Sequence, residues 1–127
     1  MLAGSGTIRA CAAGFSAPTL DAAQLRTVRS LIERELAAGA LGVSLGLGYA
    51  PDCFYSTETL IEALRPLQDS GIPITVHMRQ EGSGVVGALR EMIAVARALR
   101  TPVEISHLKS IGKANWRSCT PEMLRLM

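Results

Sequence analysis

The sequence predicts an α/β fold of parallel βα repeats, and three observations point to it. Short apolar segments with strand character alternate with segments of helical periodicity. The only two histidines, His77 and His107, stand 30 positions apart, each at the C-terminal end of such an apolar segment. A helical stretch fills each gap between consecutive strand candidates, which requires parallel strands. Counting Gly4 to Ala10 as a first strand gives about four βα units over residues 1–127. That is half of the eight that close a TIM-type (β/α)8 barrel, so the expectation is one partial barrel domain, with the flanking strands lying outside these residues. A small doubly wound α/β domain is the rival arrangement for four strands.

The elements follow in order. Thr19 is a candidate N-cap and Asp21 belongs in a first helical turn. Leu25, Val28, Leu31, Ile32 and Leu36 keep helical spacing as far as Gly39. Val43 to Leu47 is too short and Gly-rich for a helix and reads as a buried strand, followed by a loop through Pro51. A second helix starts near Ser56 or Thr57, buries Leu60, Ile61, Leu64 and Leu67, bends at Pro66 and stops at Gly71. Pro73 to His77 is the next strand, and Arg79 to Gly84 the loop after it. Val86, Leu89, Ile93, Ala96 and Leu99 mark a third amphipathic helix ending before Pro102. Val103 to His107 is the following strand, and a last helix begins at Thr120 or Pro121 and is cut off after Met127.

Composition narrows the partners. The chain has 127 residues, 48% hydrophobic and 19% charged, enough for one buried core. Its formal charge of +2 is scattered as single Lys and Arg residues among acids, which excludes a phosphate-backbone footprint and argues against nucleic acid. No apolar run reaches the length of a membrane span, and the stretch after Arg9 is too weak for a signal-peptide core. Cys11, Cys53 and Cys119 are odd in number and widely spaced, as expected of reduced, buried, structural thiols in a cytoplasmic protein.

Strand-end positions are where βα barrels and open α/β sheets carry their chemistry. Neutral imidazole is a common zinc ligand, and two rings at matched ends of adjacent parallel strands can reach one ion. The alternation of strand side chains places Thr75, His77 and Arg79 on one side, and Val103, Ile105, His107 and Lys109 on one side. Taken alone, Arg79, Glu81 and Lys109 read as a solvated loop with an ion pair. Gly82-Ser83-Gly84 at a helix start suggests a phosphate site, weakened by the lack of a following Gly-Lys-Ser.

Two stretches go further: Val-His-Met-Arg-Gln-Glu-Gly over residues 76–82, and Glu-Ile-Ser-His-Leu-Lys-Ser-Ile-Gly-Lys-Ala-Asn-Trp over 104–116. They closely resemble segments of the N-acyl-D-amino-acid deacylases (D-aminoacylases), metal-dependent amidohydrolases. The Gly-rich segment from Ala38 to Pro51 is similar to the strand and loop that precede them in that family. The resemblance implies a (β/α)8 amidohydrolase barrel, with a separate small β-domain outside residues 1–127, that hydrolyses the amide of N-acyl-D-amino acids with the help of zinc. It implies that His77 and His107 are zinc ligands, that Lys109 contacts the substrate carboxylate and that Tyr49 lines the substrate pocket. The family's His-x-His pair, bridging cysteine and catalytic aspartate have no counterpart in this chain, and Cys11 does not take the cysteine's place. No catalytic proton-transfer residue is therefore assigned, and the 127 residues alone are expected to be inactive. Ser5 stands where a Gly-His-x-Thr-Leu-Arg-like segment would have histidine. The alternative is a non-catalytic half-barrel that associates with itself or a partner through open strand edges and an exposed apolar interior.

Overall fold

The structure, a computed structural model, describes all 127 residues. Four strands form one fully parallel sheet: β1 (Ala3–Gly4), β2 (Val43–Gly46), β3 (Ile74–His77) and β4 (Val103–Ile105). Their order in the sheet is their order in the chain. A doubly wound domain would change direction within the sheet, whereas consecutive order is that of barrel strands, so the architecture is an arc of four βα units. The helices are α1 (Ser5–Ala13) and α2 (Ala22–Ala37) after β1, α3 (Thr57–Ala63) after β2, α4 (Val85–Leu99) after β3 and α5 (Thr120–Leu126) after β4.

Burial separates the two faces of the sheet. Val43, Leu45, Ile74 and Val76 are essentially inaccessible, while Ser44, Gly46, Thr75 and His77 between them are half-buried. The first set packs against Val28, Ile32, Leu60, Leu64, Leu67, Leu89 and Met92 from the helices in a single core. The second set faces the concave side. β2 and β3 approach so closely at their N-terminal ends that a Cβ on Gly42 would lie 2.4 Å from the carbonyl oxygen of Pro73. Only glycine fits there without parting the strands.

Five expectations need correction. Residues 5–10 are not a strand. The chain passes from Gly4 straight into α1, because Ala10, Ala12 and Ala13 favour helix and the helical turn buries Ser5, Ile8 and Arg9 together. The cap of α2 is Asp21 rather than Thr19. Asp21 accepts from the Gln24 backbone while the Gln24 side chain accepts from the Asp21 backbone, a reciprocal capping box. The second helix does not bend at Pro66 but ends at Ala63, and Pro66 sits in a separate 3-10 turn over Arg65–Leu67, where its missing N–H costs nothing. Cys11 is exposed and Cys53 and Cys119 are half-buried, so none of the three thiols is fully buried, though Cys119 packs against the core; all are free. Finally, β4 stops at Ile105, two residues before His107. No helix is long and apolar enough to cross a membrane.

Candidate metal centre

His77 ends β3 and His107 follows β4, and the two rings meet over the C-terminal edge of the sheet. His77 Nδ1 and His107 Nε2 are 2.9 Å apart, with ring centroids separated by 4.7 Å. Strand alternation alone does not bring them together. In the β3–β4 register Val76 pairs with Ile105, and both Val103 and Ile105 turn toward Leu89 and Met92 beneath α4, so an unbroken strand would send His107 to the helix side. The chain leaves the ladder after Ile105 and bends at Ser106, and this break turns the His107 ring to the mouth. The shared side with Val103 and Ile105 expected from the period of two is therefore wrong.

Glu81 is the hub of the cluster. Its Oε1 lies 2.6 Å from His107 Nδ1, 2.8 Å from Lys109 Nζ and 3.7 Å from His77 Nδ1, and its side chain is only 11% exposed. The partial burial raises its carboxyl pKa, but the Lys109 hydrogen bond and the positive field of His77, Lys109 and His107 outweigh this and hold it below the usual carboxylate range. The carboxylate stands beside His107 Nδ1 without lining up with an N–H there; the hydrogen bond at that nitrogen comes from the Lys109 ammonium, which can only donate, so Nδ1 accepts it. Donor atoms of His77, Glu81 and His107 all lie within 4.8 Å of one another, a spacing compatible with one ion. Lys109 Nζ also lies 3.1 Å from His107 Nδ1, so its ammonium sits inside the cluster. Glu81 was not singled out as a site residue; its position four residues after His77, just before Gly82, was the available signal.

The loop after β2 closes the other side of the mouth. Tyr49, 61% exposed, lays its ring 4.6 Å from that of His77. Gly48 passes so near that a Cβ on it would be 2.9 Å from His77 Nε2. Buried Asp52 anchors this loop, accepting from the Gly46 backbone N–H and from Ser5 Oγ, each at 3.0 Å. Burial raises the pKa of Asp52 above its ordinary value despite those bonds and the nearby Arg9 charge. Ser5, where a histidine was expected, thus ties α1 to the β2 loop. Arg9 is fully buried, its guanidinium 5.6 Å from the Phe54 ring centre and 5.0 Å from that of Tyr55. Arg79, read as part of a solvated loop, instead donates to the carbonyls of Cys53 and Tyr55 and pairs with Glu91 of α4.

No family model matches the chain. It is 36% identical over 115 residues to a D-aminoacylase of Alcaligenes xylosoxydans xylosoxydans, which covers 91% of this chain and 24% of that protein. An N-acyl-D-aspartate deacylase of the same organism is 31% identical over 90% of this chain. Among solved structures, a D-aminoacylase described as having a binuclear metal centre superposes with a TM-score of 0.88 at 37% identity, covering 95% of this chain and 25% of that one. An N-acyl-D-glutamate deacylase from Bordetella bronchiseptica, solved with zinc and a phosphonate inhibitor, gives 0.84 at 26% identity over 95% of this chain. The chain spans about a quarter of the length of the curated relatives it matches. In sequence and in fold it is homologous to the corresponding stretch of the D-aminoacylases, within the N-acyl-D-amino-acid deacylases of the amidohydrolases.

Proposed function

We propose that residues 1–127 are a partial barrel domain supplying one sector of the active site of a zinc-dependent hydrolase that cleaves the amide of N-acyl-D-amino acids. The observation that carries this reading is the 2.9 Å approach of His77 Nδ1 to His107 Nε2 at the ends of adjacent parallel strands. Nitrogens sharing a tetrahedral zinc lie roughly 3 to 3.5 Å apart, so the two rings fit one ion after a displacement of a few tenths of an ångström. His77 and His107 would hold it, and a metal so held polarises the acyl carbonyl and acidifies a water.

The remaining work falls to neighbouring side chains. Lys109 offers the cation for the substrate's carboxylate, which must draw the ammonium from Glu81 when substrate enters. Tyr49 forms the exposed wall of the pocket beside His77. Glu81 stands against His107 and accepts from Lys109, so it is poorly placed as a general base. With two imidazoles and no free proton-transfer group, the 127-residue chain should bind zinc weakly and hydrolyse N-acyl-D-amino acids no faster than its His77→Ala variant. Zinc titration and an assay of D-amino acid release on both proteins test this, and metal-dependent turnover by the chain alone would overturn it. Zinc binding unaffected by His77→Ala would remove the metal site itself.

One feature favours a second reading. Leu89, Met92, Ile93, Val103, Ile105 and Leu126 line an apolar hollow beside the open edge of β4, a surface suited to a further chain or a second copy. A non-catalytic self-associating half-barrel would sediment as a dimer or larger and bind no zinc.

A further inference from the structure

Arg79 lies two residues beyond His77, and its guanidinium is almost completely engaged. Nη1 donates to the Cys53 carbonyl at 2.7 Å and Nη2 to the Tyr55 carbonyl at 2.8 Å. Nε and Nη2 reach the two carboxylate oxygens of Glu91 at 3.1 and 3.0 Å. Glu91 is 12% exposed and also accepts from Thr57 Oγ1 at the start of α3. Both carbonyls belong to the tight turn following Tyr49, whose own carbonyl accepts from the Cys53 N–H. Asp52 secures the same turn from the opposite side through Gly46 and Ser5.

We infer that Arg79 is a positioning residue that sets the distance between the Tyr49 loop and the His77 ring. The inference deepens the proposed metal-dependent reading and rests on it for its functional meaning. Its geometry is independent. A planar fork is required, because one donor group must serve two carbonyls and a carboxylate at once. A lysine at this position keeps the charge opposite Glu91 but cannot bridge both carbonyls in that way. Were Arg79 a simple ion-pair partner, lysine would restore everything; as a clamp, it would not.

The test compares the full 127-residue chain with Arg79→Lys and, acting from the other side, Glu91→Gln. The imidazole resonances of His77 report the Tyr49 ring 4.6 Å away through its ring current. Amide hydrogen exchange reports the turn, and zinc titration the site. In Arg79→Lys, the Cys53 and Tyr55 amides should exchange at least tenfold faster and the His77 signals should shift, while the helical dichroism and the exchange of α2 amides stay as in the parent. Zinc affinity should fall about tenfold, the lower end of what an outer-shell partner contributes. Unchanged His77 signals and turn exchange in a folded Arg79→Lys chain would overturn the inference. If the parent binds no zinc yet the turn loosens and His77 shifts, the clamp stands and the metal reading fails. Should Arg79→Lys not fold, Glu91→Gln decides by the same His77 and exchange criteria.

Discussion

Removing the Glu81 carboxylate is the sharpest perturbation of the proposed centre. Its Oε1 lies 2.6 Å from His107 Nδ1 and accepts from Lys109 Nζ at 2.8 Å, and the side chain is only 11% exposed, so water substitutes poorly for it. In Glu81→Ala the nearest polar group to His107 Nδ1 is the Lys109 ammonium, 3.1 Å away, which can only donate. That ammonium, no longer neutralised by a carboxylate, then holds the ring more firmly in the tautomer with its proton on Nε2, the atom facing His77. Metal binding must reverse that preference as well as forgo the carboxylate. Loss of such an outer-shell partner lowers metal affinity by about 10–100-fold, equivalent to ~1.4–2.7 kcal/mol, and the alanine variant should fall in the upper half. Glu81→Gln retains an acceptor for the Lys109 ammonium and should lose less. Competition against a chromophoric zinc chelator measures the affinities, and long-range ¹H–¹⁵N spectra identify the His107 tautomer. A Glu81→Ala chain that stays folded and binds zinc within twofold of the parent would refute this role for the carboxylate.

Three further outcomes are expected. Gly48→Ala should leave the melting temperature nearly unchanged but displace the His77 ring, since the new Cβ falls 2.9 Å from Nε2, and weaken zinc binding by about tenfold, as expected for a displaced ligand; parallel melts and zinc titrations check both halves. In a complete enzyme, Lys109→Met should lower kcat/KM for N-acyl-D-amino acids by about 1.5–3 kcal/mol, the scale of one charge-assisted hydrogen bond, and that for the matching amides much less; equal losses with zinc retained would return Lys109 to a structural role. Because burial raises the folded pKa of Asp52, its contribution to stability is fully present below the unfolded value and is lost as pH rises through the folded one. Urea denaturation of the parent and of Asp52→Asn from pH 3 to 7 should therefore show the difference moving in favour of the variant with rising pH; a difference moving the other way refutes the sign.

Much of the fold was legible because burial imposes periods. Leu25, Val28, Ile32 and Leu36 mark α2, and the apolar runs ending near His77 and His107 mark two parallel strands. What local pattern could not show were features set by distant partners. Residues 5–10 look like a strand until Ser5 finds Asp52, 47 positions later. Arg9 carries a charge into the core because Phe54 and Tyr55 provide ring faces for it. The site divided similarly. Strand-end histidines could be picked out, yet His107 reaches the mouth through a break in β4 that alternation does not anticipate. Arg79 and Glu81 looked like solvent-facing loop charges because Cys53, Tyr55 and His107 come from neighbouring units of the arc, and Glu91, though in the same unit, lies 12 residues on in α4.

The two glycines that bracket β2 divide the strand's obligations between its ends. At Gly42 an added methyl would strike the Pro73 carbonyl, backbone against backbone, so any replacement there pushes apart β2 and β3 and weakens the whole arc. At Gly48 the same methyl clashes only with the His77 side chain, which can swing away at the expense of the site, and touches the Met78 carbonyl at an ordinary 3.5 Å. Mutational drift is thus filtered at one end by the survival of the folded chain and at the other by the placement of the His77 ring in the proposed centre. Variation in chemistry can accumulate along the C-terminal rim without first solving a folding problem, and an engineer seeking altered specificity should diversify Gly48 and Tyr49 while leaving Gly42 fixed.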